Sequence, residues 1–132
     1  MFCVEVRDHI MIAHSLPRPF FGPAQNLHGA TFVVDVAFMA ERLNQYNVVV
    51  DIGRAHEALK EALRPLAYAN LDAVPELEGQ LTTTEFLCKY IFDRMAAAAR
   101  EGRLGDGGDA LAAIKVTLHE SHVARASYEG RL

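Results

Sequence analysis

Apolar and polar positions change their period along the chain, and the changes mark out its elements. Residues 1–16, "MFCVEVRDHIMIAHSL", alternate in places and predict a long first strand. "PRPFFGP" has three prolines in seven residues and predicts a loop. Residues 30–44, "ATFVVDVAFMAERLN", are rich in β-branched and aromatic side chains and predict a second strand. The short apolar patch "NVVVDI" runs up to Gly53. After it, Ala55, Leu59, Ala62 and Leu66 share one face of a helix, which Pro65 ends or kinks in its last turn.

"NLDAVPELEGQL" predicts a loop. The stretch "TTTEFLCKYIFDRMAAAAREGRL" gives the clearest helix. Thr82 and Glu85 are spaced as a capping box, and Phe86, Leu87, Tyr90, Ile91 and Met95 form the apolar stripe. "GDGGD" breaks the pattern. "ALAAIKVTLHE" predicts a strand and "SHVARASYEG" a weaker last one. The order is β-β-α-α-β-β in a single domain spanning residues 1–132, an α+β chain. One four-stranded antiparallel sheet with both helices on one face satisfies that order. Its bare face would need cover, and a second subunit is the natural source.

Composition narrows the function classes without choosing one. The chain has 51% hydrophobic and 23% charged residues, a formal net charge of −4 and a mean hydropathy near zero. A nucleic-acid partner is not expected, because no clustered basic stripe is present. No apolar run approaches a membrane span, and the charged, alternating start does not read as a signal peptide. Cys3 and Cys88 are too few for a disulfide framework, so a reducing, cytoplasmic setting is expected. Both are expected to pack as small hydrophobes.

The histidines carry the candidate chemistry. His14 ends the first strand and His28 begins the second, so an antiparallel hairpin brings them together. They are either two zinc-ligand candidates or polar residues beside a loop. A catalytic zinc site usually takes three protein ligands and one open position. The third would fit two residues on from His28, where the chain has Ala30. His9 should face the opposite side of the first strand, and His56 the edge of the first helix's stripe. By strand parity Glu120 and His122 share a face unless a turn intervenes.

Five motifs in order resemble the 6-pyruvoyl-tetrahydropterin synthase family, which includes the 6-carboxytetrahydropterin synthases. "IAHSL" is similar to Ala-Ala-His-x-Leu, and "GPAQNLHGA" to Gly-x-Cys-x-x-Leu-His-Gly-His. "VVVDIGRAH" is similar to Met-Val-x-Asp-Phe-x-x-Leu-Lys, "TTTEFL" to Pro-Thr-x-Glu-Asn, and "VTLHESHVARASY" to the closing segment. The resemblance implies a T-fold and a homohexamer, a dimer of trimers with sites between subunits. It also implies a pterin-like small-molecule ligand and a zinc ion. The family's three zinc histidines fall on His14, His28 and Ala30, and its catalytic cysteine on Ala24. Its Asp-His pair falls on Ala67 and Tyr68, and its pterin-anchoring glutamate on Glu120.

The resemblance therefore implies a divergent member. Glu120 would bind the pterin, Tyr68 and His122 would be the catalytic candidates, and His14 and His28 would be an incomplete metal pair. Any reaction would be of lyase or aldolase type on the pterin side chain. The alternative is a non-catalytic pterin-binding or structural paralogue, and a third reading rebuilds the zinc site with an unexpected ligand.

Overall fold

A computed structural model describes residues 1–132. Strand β1 (Phe2–His14) turns its even-numbered side chains inward, with Val6, Ile10, Ile12 and His14 buried. Its odd-numbered ones, from Cys3 to Met11, face out. Strand β2 (His28–Ala40) pairs antiparallel with all of β1, and the register sets His14 directly opposite His28. Between them, residues 15–27 include short 3-10 turns over Pro19–Gln25, where a pure loop was expected.

Helix α1 (Ile52–Leu63) begins at Asp51, whose Oδ1 accepts from the backbone N–H of Gly53 and of Arg54 at 2.9 and 3.2 Å. It buries Ala55, Ala58, Leu59, Ala62 and Leu63. It stops two residues before Pro65, which has no N–H to carry the hydrogen-bond ladder on, although Arg64 itself keeps helical angles. His56 is fully on the exposed face, not at the stripe's edge.

Past the helix, the chain runs along the free edge of β1. The Tyr68 N–H donates to the Met11 carbonyl at 2.7 Å, and the Ala13 N–H donates to the Ala69 carbonyl at 3.0 Å. The segment that follows contains two short 3-10 turns, Leu71–Ala73 and Pro75–Leu77.

Helix α2 (Thr84–Arg100) is capped one residue later than expected. Thr83, not Thr82, accepts from the Phe86 N–H at 3.1 Å, and Glu85 makes no reciprocal bond. Any of three consecutive threonines satisfies the local capping rule, so a tertiary partner of Thr82 made the choice. Leu87, Ile91 and Met95 are fully buried, each contributing about 1.5–3 kcal/mol of apolar burial. Phe86 and Tyr90 are only half-buried; Cys88 and Phe92 complete the inner arc instead.

Strands β3 (Ala113–His119) and β4 (Arg125–Arg131) close the sheet in the order β1-β2-β3-β4, all antiparallel. Residues 120–124 form the turn between them, so the last strand starts later than its sequence pattern predicted. Both helices pack on the inner face, where one cluster of 31 buried residues forms the core. No helix is long and apolar enough to cross a membrane.

The outer face carries a charged group that sequence patterning did not predict. Asp35, only 5% exposed, accepts two hydrogen bonds from Arg7 at 2.6 and 2.8 Å and lies 2.8 Å from His119 Nε2. Arg7, then His119, hold its carboxyl below the usual carboxylate range against the opposing effect of burial. Cys3 is exposed on this face and does not pack as expected, whereas Cys88 is buried and its thiol is pushed up to about 11 by desolvation.

Candidate functional site

The His14–His28 pair lies at one end of the inner sheet face, where the β1–β2 loop, the start of α2 and the β3–β4 turn converge. These elements enclose an open cleft of about 820 Å³. Its walls include His14, His28, Ala24, Ala30, Glu85 and Glu120, with Phe21 and Phe32 supplying aromatic surface. Residues from four separate stretches of sequence thus meet in one concavity.

The two imidazoles meet edge to face, with ring centroids 4.6 Å apart. His14 is 5% exposed and its Nδ1 lies 3.0 Å from the Thr82 hydroxyl, itself 2% exposed. Burial first, and the neighbouring His28 second, hold the His14 imidazole below its ordinary value. A hydrogen bond to the Thr82 backbone and the Asp72 and Glu120 carboxylates oppose that shift. His28 is half-buried, and its Nδ1 lies 2.8 Å from the Asn26 carbonyl oxygen. Both rings are therefore fixed through Nδ1.

The donor set does not make a zinc site of the usual kind. No three His, Cys, Asp or Glu side chains come together closely enough to hold a metal ion. Ala30, two residues on from His28 and on the same face, offers a methyl group to the same cleft.

Glu120 lines the cleft but is exposed, as the first residue of the β3–β4 turn, with its N–H donating to the Ala124 carbonyl at 3.1 Å. His122 lies in the same turn, exposed, and lines a separate shallow depression with His119 and Arg125. The parity argument for Glu120 and His122 therefore fails, because residues 120–124 are not strand.

Tyr68 is also outside the cleft. It is 85% exposed on the edge of β1 and holds φ at 57°, a left-handed conformation that a tyrosine rarely adopts. Sequence reasoning missed Thr82 and Asn26, which fix the two rings. The one available signal was "TTTEFL", where three hydroxyls compete for one cap and leave others to find partners.

A four-stranded antiparallel sheet with two helices on one face and a cleft at the hairpin end defines the T-fold class. The family model of 6-pyruvoyl tetrahydropterin synthase matches residues 3–131. A 6-pyruvoyl tetrahydrobiopterin synthase of Dictyostelium discoideum is 30% identical over 86 residues, and the match spans 64% of this chain and 64% of that relative, just under two thirds of its length. The 6-pyruvoyl tetrahydropterin synthase of Caenorhabditis elegans superposes with a TM-score of 0.80 at 22% identity, covering 98% of this chain and 95% of its own. That of Plasmodium vivax gives 0.76 at 14% identity over the whole of both chains. At these identities the two structures speak for the fold. The chain belongs to the 6-pyruvoyl tetrahydropterin synthase family.

Proposed function

We propose that the chain binds a reduced pterin, or a related bicyclic heterocycle, in the cleft at the hairpin end of the sheet. Glu120 is the anchor, accepting two parallel N–H donors from the amidine-like edge of the ligand. The observation that carries this reading is the convergence of Ala24, His14, His28, Ala30 and Glu120 on one cleft. They fall in the order in which the family's motifs place its site residues.

The active assembly in this reading is a homohexamer in the cytoplasm, a dimer of trimers, with the cleft completed by a neighbouring subunit. Two features support it. The sheet has two unpaired edge strands, β1 and β4, and residues 67–70 occupy the edge of β1 only near Met11 and Ala13. Tyr68 also stands exposed on that same edge and outside its own cleft, which suits contact with a neighbour. Any reaction is of lyase or aldolase type on the pterin side chain, with Tyr68 from the neighbour as acid-base group beside His14 and His28. His122, facing away in its turn, drops to a peripheral role.

Two alanines favour a second reading. Ala24 and Ala30 bring methyl groups to the cleft where the family pattern has a thiol and an imidazole. A pterin-binding paralogue without turnover fits that substitution pattern directly.

Calorimetric titration with a reduced pterin tests both readings. Glu120→Gln is expected to weaken binding tenfold to a hundredfold, in line with the roughly 1.5–3 kcal/mol of a hydrogen bond to a charged group. Undiminished affinity in that variant would sink the anchor. Binding with no change in the pterin's absorbance over hours selects the non-catalytic reading.

A further inference from the structure

Asp35 is the only buried carboxylate of the chain, and it lies on the sheet face turned away from the cleft. A buried carboxylate is costly unless charge and hydrogen bonds offset it. Arg7, directly opposite on β1, meets both of its oxygens, at 2.6 and 2.8 Å. That two-pronged pair already accounts for the burial of Asp35. Yet Asp35 Oδ2 takes a further partner, His119 Nε2, at 2.8 Å. A carboxylate held ionised only accepts, so Nε2 carries the hydrogen and donates.

The place of His119 gives this extra bond its consequence. His119 pairs with Val33, so its side chain reaches Asp35 diagonally, two residues along β2. It is also the last residue of β3. There the pairing of β2 with β3 ends, although β2 itself runs back to His28. Residues 120–124, which follow, are all exposed, so burial does not hold them. Within the turn, the N–H groups of Glu120 and Ser121 donate to the Ala124 carbonyl at 3.1 and 3.3 Å. The one side-chain hydrogen bond there, from the Val123 N–H to Ser121 Oγ at 3.2 Å, stays inside the turn. The His119–Asp35 bond is therefore the last side-chain tether before Glu120, which lines the cleft on the other side of the sheet.

We propose that Asp35 is a positioning residue for the cleft: from the outer face it holds His119, and His119 sets the direction in which the β3–β4 turn presents Glu120. Arg7 orients the Asp35 carboxylate for that task. This deepens the pterin-binding reading and rests on it for the role of Glu120, not for the tether itself.

Hydrogen–deuterium exchange of the ligand-free protein tests the tether. His119→Val removes the bond and leaves the Arg7–Asp35 pair in place. Peptides covering residues 119–125 are expected to exchange faster in that variant, with those of β1 and β2 unchanged. His119→Gln, whose carboxamide N–H can donate to Asp35, should restore the slower exchange. Unchanged exchange of the turn in His119→Val overturns the proposal, and so does a glutamine variant no better than valine. His119→Thr takes the place of the valine variant if that one does not fold.

Calorimetric titration with a reduced pterin tests the consequence. His119→Val should weaken binding about threefold to tenfold, the scale of one ordinary hydrogen bond, and His119→Gln should recover most of it. In a Glu120→Gln background, His119→Val should cost nothing further, because both changes act through one carboxylate. Additive losses overturn the positioning role while leaving Glu120 as the anchor. If the wild-type protein binds no pterin, the pterin reading and the role in binding fall together, and the exchange data still decide whether Asp35 orders the turn.

Discussion

Tyr68 shows how a single residue can be set against its own backbone. A non-glycine residue at φ 57° brings its Cβ against the following carbonyl, at a cost of about 1–2 kcal/mol. Its ring is 85% exposed, so burial within the chain offsets almost none of that cost. Its backbone N–H is anchored to Met11, so the conformation is imposed by the edge of β1. Strain held at an exposed aromatic is a pattern found at functional positions and interfaces. Tyr68→Gly is expected to leave the isolated fold as stable or to stabilise it by about 1 kcal/mol, measured by urea denaturation. A loss beyond about 1 kcal/mol would mean that the ring supports the fold. The same scale explains Thr82. Local rules treat the three threonines alike, and only the presence of His14, 68 positions away in sequence, separates the one that caps from the one that orients a ring.

At the scale of elements, the fit of α2 against β4 depends on one missing side chain. Gly130 lies on the inner face of β4 opposite Ile114, and the Phe92 ring packs directly over its Cα. A Cβ there would press into that ring, with Phe92 Cε2 only 2.7 Å away. Phe92 is held in turn edge to face against Tyr128, with centroids 4.9 Å apart. Gly130→Ala should therefore destabilise the chain by about 1–3 kcal/mol, as overpacking does, read as a lower urea midpoint with an unchanged slope. An unaltered midpoint would show that α2 shifts freely against the sheet. Sequence patterning located all four strands and both main helices within a few residues. Helix α2 was the most legible because burial of Leu87, Ile91 and Met95 keeps its period. The β3–β4 turn was the least legible, because "HESHVA" has neither glycine nor proline to mark it.

For the whole molecule, the sheet's outer face and its two edges set the next question. Arg7, Asp35 and His119 form a satisfied polar cluster across three strands of that face, so water is tolerated against it. Backbone groups along the first part of β1 and the outer side of β4 still lack strand partners. Antiparallel edges of this kind pair with other chains unless they are blocked. Sedimentation equilibrium is expected to give six chains of 14.6 kDa each per particle, and a proline at Arg7 in β1, removing an edge N–H, should shift the distribution toward smaller species. A monomer at micromolar concentration would remove the neighbour that the Tyr68 assignment needs.

The sequence by itself determined the element order, the apolar faces and the pairing of His14 with His28, because each follows from a short period or from the two-fold alternation of a hairpin. It also placed alanine at positions 24 and 30, two positions on which the proposed non-catalytic reading rests. Tertiary structure alone decided which threonine caps α2, that Tyr68 stands exposed on the edge of β1, that Glu120 lies in an exposed turn, and which groups the two cleft histidines meet. Those properties depend on hydrogen-bond partners distant in sequence and on the need to satisfy every buried polar group at once, and no local pattern encodes either.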